Sequence, residues 1–388
     1  MIKEKKLLPL FLSESLRSVA VSLLSFFSAI FIFKKTLAIT DNEKQAFLAV
    51  FSFFTILYLF KLISTSLAEN LALKSGLKTQ IFLGHFLTAL SLVAFAGAEK
   101  NFVFLWLAAV FWGLAIGFFW FGRHGLLTKI GEKGRFGQAI GWAGIMNTIL
   151  LLGVPFLGGV LVSQFGYQAL FLAAFVFVLL AFLALIPVGE QKTHRDVTLK
   201  EILKIILSHK RMTLAYFATG VVGTFYSTAL ILYIFLFLEK ELAFGGFFSL
   251  SMLLVALVNF VVGRWVDKRG KRSLVAYGSV FTSLVWLGRF MANTVGVFLV
   301  LDVFDRIAGG MLGIPLAVLS FEKALDGRST GRALLFREAT ITIGSIFACL
   351  LLIGLVLLGL ELKFAFLLPM VFSLLPLLIV KKQSLYGE

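Results

Sequence analysis

The stretch that decides the fold reads "AFGGFFSLSMLLVALVNFVVGRWVDKRGKRSLVAYGSVFTSLVWLGRFMA" (243–292). Two apolar runs enclose a loop, "GRWVDKRGKRS" (263–273), that holds five bases and one acid, Asp267. A loop between two soluble helices needs no such neighbours. Each run is long enough for a membrane crossing, since about 30 Å of hydrocarbon takes about 20 residues at about 1.5 Å per residue.

The same alternation of apolar run and charged loop fills the chain. Its 388 residues are 60% hydrophobic and 14% charged, with a mean hydropathy of +0.99. Soluble proteins carry about a quarter charged residues, so a water-soluble fold is excluded. The net charge of +16 is split among short loops instead of forming one basic face. That pattern sets membrane orientation and meets lipid head groups, and no nucleic-acid partner is expected. Cys349 is the single cysteine; it supports neither a disulfide nor a zinc site, and no metal or cofactor is expected. The N-terminal "MIKEKKLLPLFLSESLRSVAVSLL" is read as an uncleaved first span, because Glu14 and Arg17 interrupt it and no small-residue cleavage site follows.

Twelve spans are predicted, at 8–33, 45–65, 79–98, 102–122, 138–161, 166–188, 212–238, 243–263, 273–292, 295–320, 333–360 and 362–380. The expected organisation is an N-terminal six-helix bundle (1–188), a cytoplasmic linker with an interfacial helix (189–211) and a C-terminal six-helix bundle (212–388). If the N-terminus is cytoplasmic, roughly 26 of the 36 bases fall on that side, which places both termini inside a cell membrane. The halves repeat one another. "GQAIGWAGIMNTILLLG" (137–153) opens span 5 as "GRALLFREATITIGSIF" (331–347) opens span 11, and "ENLALKSGLK" (69–78) sits where the second half has "GRWVDKRGKR". Parallel six-helix repeats are a transporter plan.

These features resemble the major facilitator superfamily. Its loop signature is matched by Gly263, Asp267, Lys268, Gly270, Lys271 and Arg272; its span 5 antiporter motif is matched by Pro155, Gly158 and Gly159, with Gly153 displaced by one residue. The resemblance implies the all-α facilitator fold of two pseudo-symmetric bundles, alternating access, and a small-molecule substrate coupled to protons or another ion. It also implies that Asp267 faces the start of span 5, near Arg135 and Gly137, while the cytoplasmic side is closed. The first-half loop departs from the signature, with Leu73 in place of the acid and Glu69 one turn away as a substitute.

Helices 1, 4, 7 and 10 line the cavity in that family. Asp302, Asp305 and Arg306 share one face of span 10 through i,i+3 and i,i+4 spacing, and intramembrane charges need a partner or a wet cavity. Asp302 is expected to pair with Arg306 and Asp305 to stand unpaired, with Arg289 either a partner or an interfacial residue. Span 1 contributes a stripe of Glu14, Ser18, Ser22 and Ser25 with Arg17 beside it; Trp106, Trp112, Trp120, Tyr226 and Tyr233 are candidates for the cavity floor. His85 and His124 are expected to be packed or interfacial. Arg337 and Glu338 are expected at a helix end or cytoplasmic gate. Export by proton antiport by a monomer among membrane lipids is the leading expectation, with proton-symport uptake of a polar metabolite as the alternative. A membrane enzyme is disfavoured because the loops supply no catalytic constellation, and a sensor because no large soluble domain is present.

Overall fold

The computed structural model describes residues 4–130, 147, 149–192, 199–266, 271–325 and 330–380. Asp267, Lys268, Gly270, Arg135 and Gly137 lie outside them, as do the side chains flanking Gly263 and that of Lys271. Among the described residues every regular element is helical: α1 (Glu4–Thr40), α2 (Glu43–Ser75), α3 (Leu77–Gly97), α4 (Val103–Ile130), α5 (Val154–Leu185), α6 (Leu199–Ser208), α7 (Lys210–Phe225), a π turn (Tyr226–Leu230), α8 (Ile231–Leu238), α9 (Glu241–Val266), α10 (Lys271–Met291), α11 (Val295–Leu325), α12 (Thr330–Leu357), a 3₁₀ turn (Leu362–Phe366), α13 (Leu367–Phe372) and α14 (Leu377–Val380). An all-helical chain is what lipid demands, because no water is present to satisfy exposed backbone groups.

Nine described stretches are long and apolar enough to cross a membrane. One of them, Ile149–Leu185, contains Gly166 at φ 79°, a left-handed conformation that glycine adopts without penalty, and this residue separates two helical segments. Splitting that stretch at Gly166 and adding α9 and α11 brings the helices into line with the twelve spans expected from sequence. Two departures are local. Span 7 contains the π turn, and span 12 is a 3₁₀ turn and two short helices around 373–376, where Pro376 brings no backbone donor.

The chain forms two compact units: residues 1–195 with 234–249, and residues 196–233 with 250–388. In the first unit α4 packs on α2 and α3, and α1 packs on α5. Gly113 of α4 lies against the Leu57 carbonyl of α2, and Gly122 lies against that of Leu77. In the second unit α7 crosses α12 with a glycine on each side: Gly220 abuts the Ile341 carbonyl and Gly344 the Phe217 carbonyl. Lipid tails are as apolar as the helices, so close backbone approach and van der Waals packing hold such pairs together.

The span 5 motif lies in the first unit. Gly158 faces the Phe27 ring, and Gly159 abuts the backbone of Glu241 at the start of α9; Gly245 of α9 in turn abuts the Pro155 carbonyl, while Gly153 forms the open N-cap of α5. Phe156 donates its backbone N–H to Ser249 Oγ at 3.0 Å. Glu241 also accepts from Lys34 Nζ at 2.6 Å and from the Tyr167 hydroxyl at 3.2 Å. The motif's small residues therefore set a close crossing of α5 with the first turns of α9.

In the first-half loop, Glu69 is buried on α2. The α3 N-terminus is met by Glu190, which accepts from Lys78 N at 2.7 Å, Thr79 N at 3.0 Å and Thr79 Oγ1 at 2.8 Å. A helix N-terminus offers free N–H groups and a positive dipole end, which is why an acid settles there.

Candidate functional site

In the second unit, three elements converge on the charged face of α11: the π turn, α9 and α10. Asp302 is fully buried, and its carboxylate meets four donors: the Tyr226 hydroxyl at 2.9 Å, Ser251 Oγ, Arg289 Nη2 at 3.3 Å and Arg306 Nε at 3.0 Å. A carboxylate has about four lone-pair sites, so Asp302 is saturated. The i,i+4 pair with Arg306 is the one expected from spacing. Asp305 differs from expectation: it is paired, with its Oδ2 3.2 Å from Arg289 Nη2. The cause is geometric: Arg289 is fully buried on α10, and its single Nη2 spans both aspartates.

Arg306 also donates from Nη2 to the Tyr226 hydroxyl at 2.9 Å and from Nε towards Ser251 Oγ at 3.3 Å. The guanidinium of Arg289 lies 4.5 Å from the Trp286 ring centre and 5.5 Å from that of Tyr226, within cation–π range. Tyr226 opens the π turn, whose extra residue shifts helical register and aims the hydroxyl at α11. The set contains two arginines and two aspartates, so its charges balance. Its access is uneven. The side chains of Asp302 and Arg289 are 1% exposed, whereas those of Asp305 and Arg306 are 13% and 22% exposed.

In the first unit, α1 carries the polar stripe. Glu14, Ser18 and Ser25 are half-buried and Ser22 is buried. Glu14 is held by Arg123 of α4 through both oxygens, at 2.9 Å (Nη2) and 3.1 Å (Nε). Arg17 stacks on Phe119, with its guanidinium carbon 3.7 Å from the ring centre. His85 is fully buried and bonded to Ser13 Oγ at 2.9 Å, and His124 stacks on Trp120. Trp112 is buried and packs among Phe53, Phe54 and Phe95. Tyr233 packs against Phe298 and Phe366, and Arg337 and Glu338 are half-buried on α12. Arg272 is exposed at the start of α10.

Sequence reasoning missed Ser251 and Arg123 and left the role of Arg289 open. The signal for both arginines was available, because a lone intramembrane arginine implies a carboxylate on another helix. A serine carries no such signal.

The Major Facilitator Superfamily profile matches residues 10–251, more than half of the chain. The chain belongs to that superfamily. No curated protein sequence matches it significantly. Solved structures similar to this facilitator include a D-xylose–proton symporter, with a TM-score of 0.76, 14% identity and coverage of 98% of this chain and 97% of that one. An auto-inhibited POT family peptide transporter has a TM-score of 0.75 at 10% identity, covering 99% and 98%. A POT peptide transporter in complex with sulfate has a TM-score of 0.71 at 12% identity, covering 97% and 93%. At such identities the likeness shows the fold. With the family, it makes this facilitator a multi-pass membrane secondary transporter and not an enzyme.

Proposed function

We propose that this facilitator exports a small solute in exchange for protons, with Asp305 as the proton-carrying group. The observation that carries the reading is the sharing of Arg289 Nη2 between Asp302 and Asp305. Asp302 is saturated by donors, whereas Asp305 has this arginine as its ion-pair partner and is the more accessible acid. A proton arriving at Asp305 from water removes that acid's attraction for Arg289. The guanidinium then belongs to Asp302 alone, and the packing of α10 against α11 changes with it. Protonation thus becomes a movement of helices, which alternating access requires. The bundles at 1–188 and 212–388 are the moving bodies in this reading, joined by the 189–211 linker. The chain acts as a monomer in the cell membrane, surrounded by its lipids, with both termini cytoplasmic.

Export is favoured by the Pro155–Gly158–Gly159 motif of α5, which packs closely on α9. The alternative, symport uptake, draws on the proton symporter among the similar folds. The test is flux in proteoliposomes with an imposed pH gradient, using solutes found by binding. Asp305→Asn is expected to abolish gradient-driven accumulation and to retain solute exchange at equal pH. Full gradient-driven transport by Asp305→Asn removes that residue from the coupling step. The side of accumulation relative to the acidic compartment decides between antiport and symport.

A further inference from the structure

We propose that Arg17 docks a carboxylate, so that the transported solute is an organic monoanion. This rests on the transporter reading above and adds the chemical class of its solute. Arg17 is 4% exposed, and among the described residues its buried Nε and Nη2 find no hydrogen-bond partner. Those two N–H groups form the parallel fork that matches the two oxygens of a carboxylate. The neighbouring pair shows the same fork in use: Arg123 holds Glu14 through its own Nε and Nη2. Glu14 lies three residues before Arg17 on α1 and is the acid nearest in sequence, yet both of its oxygens serve Arg123.

Among the described residues, the other groups found against Arg17 supply no anion. Phe119 covers one face of the guanidinium, and His85 of α3 gives its Nε2 to Ser13. Within this set, two arginines answer to one carboxylate, and one further negative charge balances them. A buried arginine with two unmade charge-assisted bonds is costly to the fold, and a ligand that makes them recovers that cost. The half-buried stripe of Glu14, Ser18 and Ser25 runs beside Arg17 along α1 and gives the solute a polar approach.

The experiment is a thermal-shift titration of the purified full-length protein. Phenylacetate, lactate and octanoate are each set against the matching amide and amine, with phenyl phosphate as a dianion. A carboxylate is expected to raise the wild-type Tm in a saturable way while its amide and amine do not. Arg17→Met is expected to raise the Tm without ligand, because it removes a buried guanidinium whose Nε and Nη2 make no hydrogen bond among the described residues, and to weaken carboxylate affinity about 10- to 100-fold. Arg17→Lys keeps the charge but loses the fork, and is expected to fold and to lose at least about tenfold in affinity. The proposal is overturned if no carboxylate stabilises the wild type, if amide or amine does so equally, or if both variants retain wild-type affinity. Binding needs no pH gradient, so carboxylate binding without proton-driven flux defeats the coupling reading alone. Proton-driven flux of an amine without carboxylate binding defeats this inference alone.

Discussion

Asp302 and Asp305 are three residues apart on one helix and have opposite prospects. Asp302 meets a hydroxyl pair and two guanidiniums, and is buried with Arg289. Asp302→Asn leaves two arginines facing one carboxylate, and breaking a buried pair in this way costs about 3–5 kcal/mol. We expect a clear loss of Tm for Asp302→Asn in detergent-solubilised protein and a smaller one for Asp305→Asn; equal losses would show that the two acids are equivalent supports. The Asp302–Arg306 pair was legible in the sequence because i,i+4 spacing on a helix is a distance. Arg289 was legible only as one possible partner, and the Glu14–Arg123 pair was not read, because each pair joins two helices. Hydropathy places a residue at a depth in the membrane and does not say which neighbouring helix its side chain faces. Arg17 illustrates the same limit, since spacing put it beside Glu14 and the structure gave Glu14 to another arginine.

At the scale of the element, the crossing of α7 and α12 depends on the absence of two side chains. Gly220 and Gly344 each place a hydrogen where a Cβ would strike a carbonyl of the partner helix. Gly344→Val is expected to lower stability by about 1–3 kcal/mol through overpacking, read as a drop in Tm, while Gly354→Val, which faces open space, is expected to be neutral. Equal effects at the two positions would mean that helix propensity, not the crossing, governs α12. The existence and order of the spans were legible because each is a long apolar run bounded by charge. The π turn at Tyr226–Leu230 and the break near 373–376 were not, because a window of about 18 residues averages over a one-residue change in register. Glu190 was hidden for another reason: it caps α3 from more than a hundred residues away, so the local loop sequence held no trace of it.

At the scale of the whole molecule, the basic loops predict its orientation. Asp41 sits in the exposed turn between α1 and α2, and Lys192 follows α5. Asp41→Cys is expected to react with an impermeant thiol reagent in intact cells and Lys192→Cys only after the membrane is opened, once Cys349 has been replaced by Ser. The reverse pattern overturns the inside placement of the termini. The balanced count of two arginines and two aspartates in the second unit has an electrical meaning as well. With Asp305 unprotonated, the cluster carries no net charge; with the proton aboard, it carries one. Under the proposed coupling, the loaded step therefore moves charge through the membrane field, at about 2.3 kcal/mol per 100 mV for a full crossing. The cluster's return is electrically silent, so voltage acts on the cluster in one stroke of the cycle and not in the other.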